Sequence, residues 1–282
     1  MTEAAPPPPP ESAFDALLPD DPATPVVVSV PHAGTAVAGY EATLARTLDV
    51  RCDADLWVDR LYDGLPRGAF IRARLSRFVC DLNRHPDDVS AAAVPEHPAP
   101  RNADGRGFLW AVTTTGAPAL ARPLTLAEWQ ERRAVHAAYH GAITAALDRA
   151  QAKFGFAVLV DGHSMPSAGK SGHTDSGRRR ADVVPGDRRG GSCTPALSRL
   201  VAEHFAHAGY SVAPNDPYQG GFITAHHGNP ASRRHAIQIE LRRDLYMNED
   251  TFAMKPDGLS RLRATLAALL SSLDSFDPRS TP

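Results

Sequence analysis

Residues 156–165 read Phe156-Ala157-Val158-Leu159-Val160-Asp161-Gly162-His163-Ser164-Met165. The first five form a short apolar run, rich in β-branched residues and without polar alternation, as in a strand covered on both faces. The run stops at Asp161, and His163 follows two residues later. The same layout occurs near the N-terminus, where Val26-Val27-Val28-Ser29-Val30 leads into Pro31-His32-Ala33-Gly34. Two buried strands would each deliver a histidine just past a C-terminal end, the edge at which open α/β sheets bind ligands. Two imidazoles with acidic neighbours at such an edge point first to a zinc site.

Around these strands the chain alternates helix and strand signals. Residues 53–65 read as a helix, with Leu56, Trp57, Leu61 and Leu65 near one face. Residues 69–74 and 77–82 read as a strand pair or a bent strand. Thr125-Leu126-Ala127-Glu128 has a capping-box pattern, with Thr125 as the cap of a long helix reaching Lys153. Further helices are expected at 194–208 and 259–273, a short strand at 210–212, a glycine-flanked turn at 220–228 and an alternating strand at 236–241. Two stretches, 89–123 and 166–191, lack apolar periodicity; excursions of that length usually carry function. This order predicts an α/β fold, a three-layer αβα sandwich around a largely parallel or mixed sheet. Residues 1–23, with the run Pro6–Pro10, read as an extended, disordered tail, and residues 24–282 as a single domain.

The composition narrows the function. With 282 residues, 43% apolar and 22% charged, the chain has ample length for a packed core. A net charge of −2 gives no bulk electrostatic case for nucleic acid or an anionic membrane. The pairs Arg179-Arg180, Arg188-Arg189 and Arg242-Arg243 read as solvated surface or as ligands for a small anion. Three cysteines without a CxxC pair exclude both a disulfide framework and a thiolate zinc site. No stretch reaches about 18 apolar residues, as a membrane span needs. The first residues lack the basic start and apolar core of a secretory signal, so the expected location is the cytoplasm.

A catalytic zinc takes three protein ligands and keeps a position open for water or substrate. His32 and His163 supply two; the third is expected from Asp53 or Asp55, at the start of the helix after the His32 loop, although Asp53 equally suits a helix cap. Asp161 is placed to orient an imidazole from behind. In Ala236-Ile237-Gln238-Ile239-Glu240-Leu241, the apolar residues share one face while Gln238 and Glu240 share the other. A carboxylate there suits a general base that then acts as general acid. Arg84, after Asn83 at a strand exit, offers a guanidinium fork for a substrate carboxylate. His226 and His227 offer hydrogen bonds to a substrate or a polarising group for an oxyanion. Ser164 lacks the G-x-S-x-G elbow of a serine hydrolase.

Taken in order, several segments resemble the N-formylglutamate amidohydrolase (N-formylglutamate deformylase) family. They are Pro31-His32-Ala33-Gly34, Asp53-Ala54-Asp55, Ser76-Arg77-Phe78-Val79-Cys80-Asp81-Leu82-Asn83-Arg84 and Asp161-Gly162-His163-Ser164. Gly191-Ser192-Cys193, Gly220-Gly221-Phe222-Ile223-Thr224, His227-Gly228 and Gln238-Ile239-Glu240-Leu241 follow. The resemblance implies a zinc-carboxypeptidase-like architecture and one catalytic Zn2+, or another divalent metal, held by His32, His163 and either Asp53 or Asp55. It implies Glu240 as acid/base, with Asn83 and Arg84 gripping the substrate carboxylate, and makes Arg77 and His227 further substrate contacts. The loop after His163 departs from the family pattern; Asp187 and Arg188 are the contacts expected in it. The implied substrate is a small N-acyl amino acid, N-formyl-L-glutamate foremost. The rivals are a related zinc hydrolase for another N-acyl amino acid or a small peptide, and a non-catalytic protein that binds an anion.

Overall fold

The structure is a computed structural model that describes residues 13–276 apart from residue 66. Its strands are β1 (Phe14–Leu17), β2 (Val26–Val30), β3 (Ala69–Ala73), β4 (Ala157–Met165), β5 (Val183–Gly186) and β6 (Arg234–Arg242). Its helices are α1 (Val58–Tyr62), α2 (Leu126–Phe154), α3 (Pro195–His207), α4 (Phe222–His227) and α5 (Pro256–Asp274). The strands form one mixed sheet in the order β1-β3-β2-β4-β6-β5. The inner four are parallel, and the edge strands β1 and β5 run antiparallel to their neighbours.

Strand alternation divides the core in two. Val27, Ile71, Leu159 and Ala236 face α2, where they meet Tyr139, Ile143 and Leu147. Val28, Val160, Ile237 and Ile239 face the other way, with α3 and α5 supplying Leu197, Phe205, Leu266 and Leu269. Each of the Val, Ile, Leu and Phe side chains among these, taken wholly from water, contributes roughly 1.5–3 kcal/mol. The result is the three-layer αβα arrangement expected from the order of elements. Helix α2 begins at a complete capping box between Thr125 and Glu128 and ends at Gly155, whose φ of 79° lies in the left-handed region that favours glycine.

Several elements differ from the sequence reading. Residues 14–17, assigned to the proline-rich tail, form β1: Phe14 packs edge-on to Tyr139, with ring centroids 5.4 Å apart, and Asp15 pairs with Arg72 at 3.0 Å. The proline run itself lies outside the described residues. The expected helix at 53–65 shortens to Val58–Tyr62, because the preceding residues turn to deliver Asp53 and Asp55. Residues 77–82 form turns instead of a second strand; β3 is already flanked by β1 and β2, so no sheet edge is open there. The turn at 220–228 contains α4, and the 166–191 stretch contains β5. Residue 212 makes only an isolated bridge to Val183.

Candidate metal centre and active site

The C-terminal edge of the parallel strands opens into a cavity of about 760 Å³ lined by His32, Asp55, Asn83, His163 and Glu240. His32 lies two residues past the end of β2, as expected. His163 differs: β4 runs on to Met165 because β6 continues beside it after β2 has stopped, and His163 pairs in register with Glu240. Asp161, His163, Gln238 and Glu240 continue the sheet face that carries Leu159 and Ala236. Nearer the N-terminal ends of the strands that face is covered by α2; here it borders the cavity.

His32, Asp55 and His163 are buried, and each offers one ligand atom, all lying within 4.8 Å of one another. Nε2 of His32 is 2.7 Å from Oδ1 of Asp81, and Nε2 of His163 is 2.9 Å from Oδ2 of Asp161. With Nε2 donating to a carboxylate, each imidazole can turn its Nδ1 lone pair to a cation shared with Asp55. The Nδ1 atoms lie 3.6 and 3.1 Å from Asp55 Oδ2. The other oxygen, Oδ1, accepts from Arg243 at 2.9 Å. Two imidazole nitrogens oriented by carboxylates and one carboxylate oxygen form a donor set that could hold a metal ion.

The electrostatics suit a cation. Asp55, Asp81 and Asp161 are buried carboxylates, against the buried guanidinium of Arg243 and the half-buried one of Arg77. Burial opposes the charge of Asp55 and Asp81, yet the histidines and the Arg243 and Arg77 guanidiniums hold both carboxyls well below the usual range. Burial likewise opposes a charge on His163, but Asp161 and Asp55 outweigh it and raise its pKa well above the ordinary value. Glu240 is pushed the other way, up to about 7, by burial, with the Asp55 charge adding to it and His163 opposing. Its Oε1 accepts from Gln238 Nε2 at 2.9 Å, while Oε2 is buried with no hydrogen-bond partner among the described residues. A carboxylate with one free oxygen and a pKa near neutrality is suited to taking up and returning a proton.

Asp53 lies outside the metal-binding group. Its carboxylate accepts from the backbone N–H of Thr114 at 2.9 Å, from the Thr114 hydroxyl and from Lys170 Nζ at 3.1 Å. Although burial works against its charge, Lys170 and Thr114 keep its carboxyl at about 2. Asp53 thus ties the two long excursions to the segment carrying Asp55, and both excursions line the cavity, through Arg106, Trp110 and Thr114 on one side and His173 and Asp175 on the other.

The residues expected to hold substrate separate into two groups. Asn83, Arg84 and Arg188 line the cavity. Arg84 and Arg188 are exposed, and neither guanidinium pairs with a carboxylate among the described residues. Arg77 also borders the cavity, but its donors are taken by Asp81 at 2.6 and 3.1 Å and the Asp53 carbonyl at 3.2 Å, and it stacks on Trp110. It supports the carboxylate behind His32. Asp187 accepts from Gly190 N and Asn215 Nδ2, closing a turn away from the cavity. His227 is buried against α2, bonded to His140, and does not line the cavity. Its separation from the cavity follows from α4, where the sequence predicts a glycine-flanked turn.

Arg243 and Asp81 are functional neighbours that the sequence reading missed. The pair Arg242-Arg243 reads as surface charge, yet Arg243 is buried between Asp55 and Ser164, and Arg242 between Asp182 and Asp244. Arg180, from another such pair, is buried against Asp175. The only signal for Arg243 was its place just beyond the Glu240 strand.

The sequence profile of the N-formylglutamate amidohydrolase family matches residues 24–247. An N-formylglutamate deformylase of Pseudomonas aeruginosa is 36% identical over 257 residues, covering 88% of this chain and 92% of that protein. A second, of Pseudomonas putida, is 34% identical over 260 residues, with the same shares covered. The crystal structure of an N-formylglutamate amidohydrolase from Ralstonia eutropha JMP134 is similar with a TM-score of 0.84 at 34% identity, covering 93% of this chain and 97% of that one. On this match the chain belongs to the N-formylglutamate amidohydrolase family.

Proposed function

We propose that the protein hydrolyses the formyl amide of N-formyl-L-glutamate to L-glutamate and formate, with a zinc ion held by His32, Asp55 and His163. The observation that carries this reading is the convergence of those three donors beside the free Oε2 of Glu240, in a chain whose relatives are named for that activity.

When bound, zinc would supply a Lewis acid for the formyl carbonyl and lower the pKa of a water toward about 7. Asp81 and Asp161 fix the imidazoles, so that Nδ1 of each faces the ligand position. Arg243 holds Oδ1 of Asp55 and leaves Oδ2 to the ion. Glu240 takes a proton from the attacking water and returns it to the amide nitrogen as the C–N bond breaks. The amine leaves as glutamate and the acyl carbon as formate. The substrate carries two carboxylates, and the cavity presents Arg84 and Arg188, each without a carboxylate partner among the described residues. Both are assigned to those carboxylates, Arg84 aided by the neighbouring amide of Asn83.

The test is formate release from N-formyl-L-glutamate by zinc-loaded protein, with a chelator-treated sample alongside. Release that the chelator abolishes and zinc restores is the expected result. No release from protein carrying one zinc per chain would contradict the assigned substrate, and release unaffected by the chelator would contradict the metal.

A further inference from the structure

Among the imidazoles outside both the candidate metal group and the cavity, three cluster between α2 and α4. His136 and His140 stand one turn apart on α2, and His227 closes α4; all three are buried. Nε2 of His136 lies 3.0 Å from the carbonyl oxygen of Arg84, and Nε2 of His140 lies 2.9 Å from that of Leu82. A carbonyl only accepts, so both imidazoles donate from Nε2. Nδ1 of His140 is then the acceptor for Nε2–H of His227, 2.9 Å away. Burial drives the pKa of all three far down, to about 4 for His136, 2 for His140 and 3 for His227, so each is neutral and these tautomers are fixed.

The two carbonyls bracket Asn83. On the far side of that residue, the backbone carbonyl of Asn83 accepts from Phe222 N at 3.1 Å and its Oδ1 from Ile223 N at 2.8 Å. Its Nδ2 donates to Gln238 Oε1 at 3.2 Å and lies 3.3 Å from His163 Nε2. Gly221 permits this approach, since a Cβ there would fall 2.5 Å from the Asn83 amide. The segment 82–84 is thus clamped between α2 and α4, with the Phe222 ring packed on both His136 and His140. Apolar residues would fill the same volume without burying imidazole nitrogens, a cost that only their hydrogen bonds offset.

We propose that His136 and His140 are positioning residues, whose Nε2–H groups hold the Asn83-Arg84 dipeptide in the conformation that grips the substrate. The inference rests on the reading that Arg84 binds a substrate carboxylate. The imidazoles touch neither the substrate nor the reacting atoms; they act through the backbone that carries Arg84.

The test compares His136→Asn, which is too short to reach the Arg84 carbonyl, with His136→Gln, which keeps a donor at the ε position. On the zinc-loaded protein with N-formyl-L-glutamate, His136→Asn raises KM about tenfold with kcat within about threefold, and His136→Gln restores KM. In an Arg84→Met background His136→Asn adds no more than about twofold to KM, because both changes remove one interaction. An unchanged KM in His136→Asn, or an effect that multiplies with Arg84→Met, overturns the proposal. If His136→Asn does not fold, His136→Gln decides: a KM near that of the wild type supports it and a tenfold rise overturns it. Wild-type protein that releases no formate contradicts the proposed function separately. The positioning is then read from the Phe222 and Ile223 amides, which exchange about tenfold faster in His140→Gln/His136→Asn than in the wild type if the clamp holds them. Equal protection overturns it.

Discussion

Asp53 and Asp55 are separated by a single alanine, yet their carboxylates meet different partners: Thr114 and Lys170 for one, the two histidines and Arg243 for the other. Sequence reasoning could narrow the proposed third ligand to this pair but not choose within it, because Asp55 is set beside the histidines with Arg243, 188 positions further on, on its other oxygen. Glu240 was legible for the opposite reason. The two-residue period of its strand put it on the polar face with Gln238, and parallel pairing with β4 then set it beside His163. The acid/base role proposed for it predicts that Glu240→Gln lowers kcat by about 10²–10⁴-fold while zinc stoichiometry stays at one per chain. Activity assays paired with metal analysis check this, and near-wild-type turnover would remove Glu240 from the chemistry. The histidines at 32 and 163 were readable because each follows a buried apolar run. Arg243 was not, since adjacent arginines look alike whether they are solvated or buried against a carboxylate.

At the scale of elements, long and periodic segments were the readable ones. Helix α2 starts at Thr125 as its capping box requires, and β2, β4 and β6 fall on the apolar runs. The four-residue edge strands β1 and β5 were missed because so short a segment carries almost no periodicity, and β5 includes Pro185, which weakens a strand reading. Helix α4 was missed because glycines flank its six residues. Packing between α2 and α4 also makes a prediction about stability. His136, His140 and His227 are neutral in the folded chain, with pKa values of about 4, 2 and 3, but titrate near 6.5 when unfolded. Between those limits the unfolded chain binds more protons, so stability is complete above about pH 6.5 and falls as the pH drops toward 4. Each imidazole steepens that loss by up to about 1.4 kcal/mol per pH unit. Urea midpoints are therefore expected to fall from pH 7 to pH 5, and less steeply in His140→Gln. A midpoint independent of pH in the wild type would contradict this.

Over the whole molecule, one geometric rule places the chemistry. Parallel strands end at a common edge, so His32, in the loop after β2, and His163, near the C-terminal end of β4, more than 100 residues apart, arrive at the same point. The three layers were legible from the alternation of elements, and the two long unpatterned stretches were legible as a site border without their internal structure. Their attachment through Asp53 to the base of the site depends on contacts that no local pattern announces. Among the described residues no helix is long and apolar enough to cross a membrane. The central claim is that this edge holds a metal between three named side chains. Its most direct test is anomalous diffraction at the zinc absorption edge from crystals of the zinc-loaded protein. The account predicts one peak about 2.0–2.2 Å from Nδ1 of His32, Oδ2 of Asp55 and Nδ1 of His163. A peak on Asp53, or none at the three side chains, would contradict it.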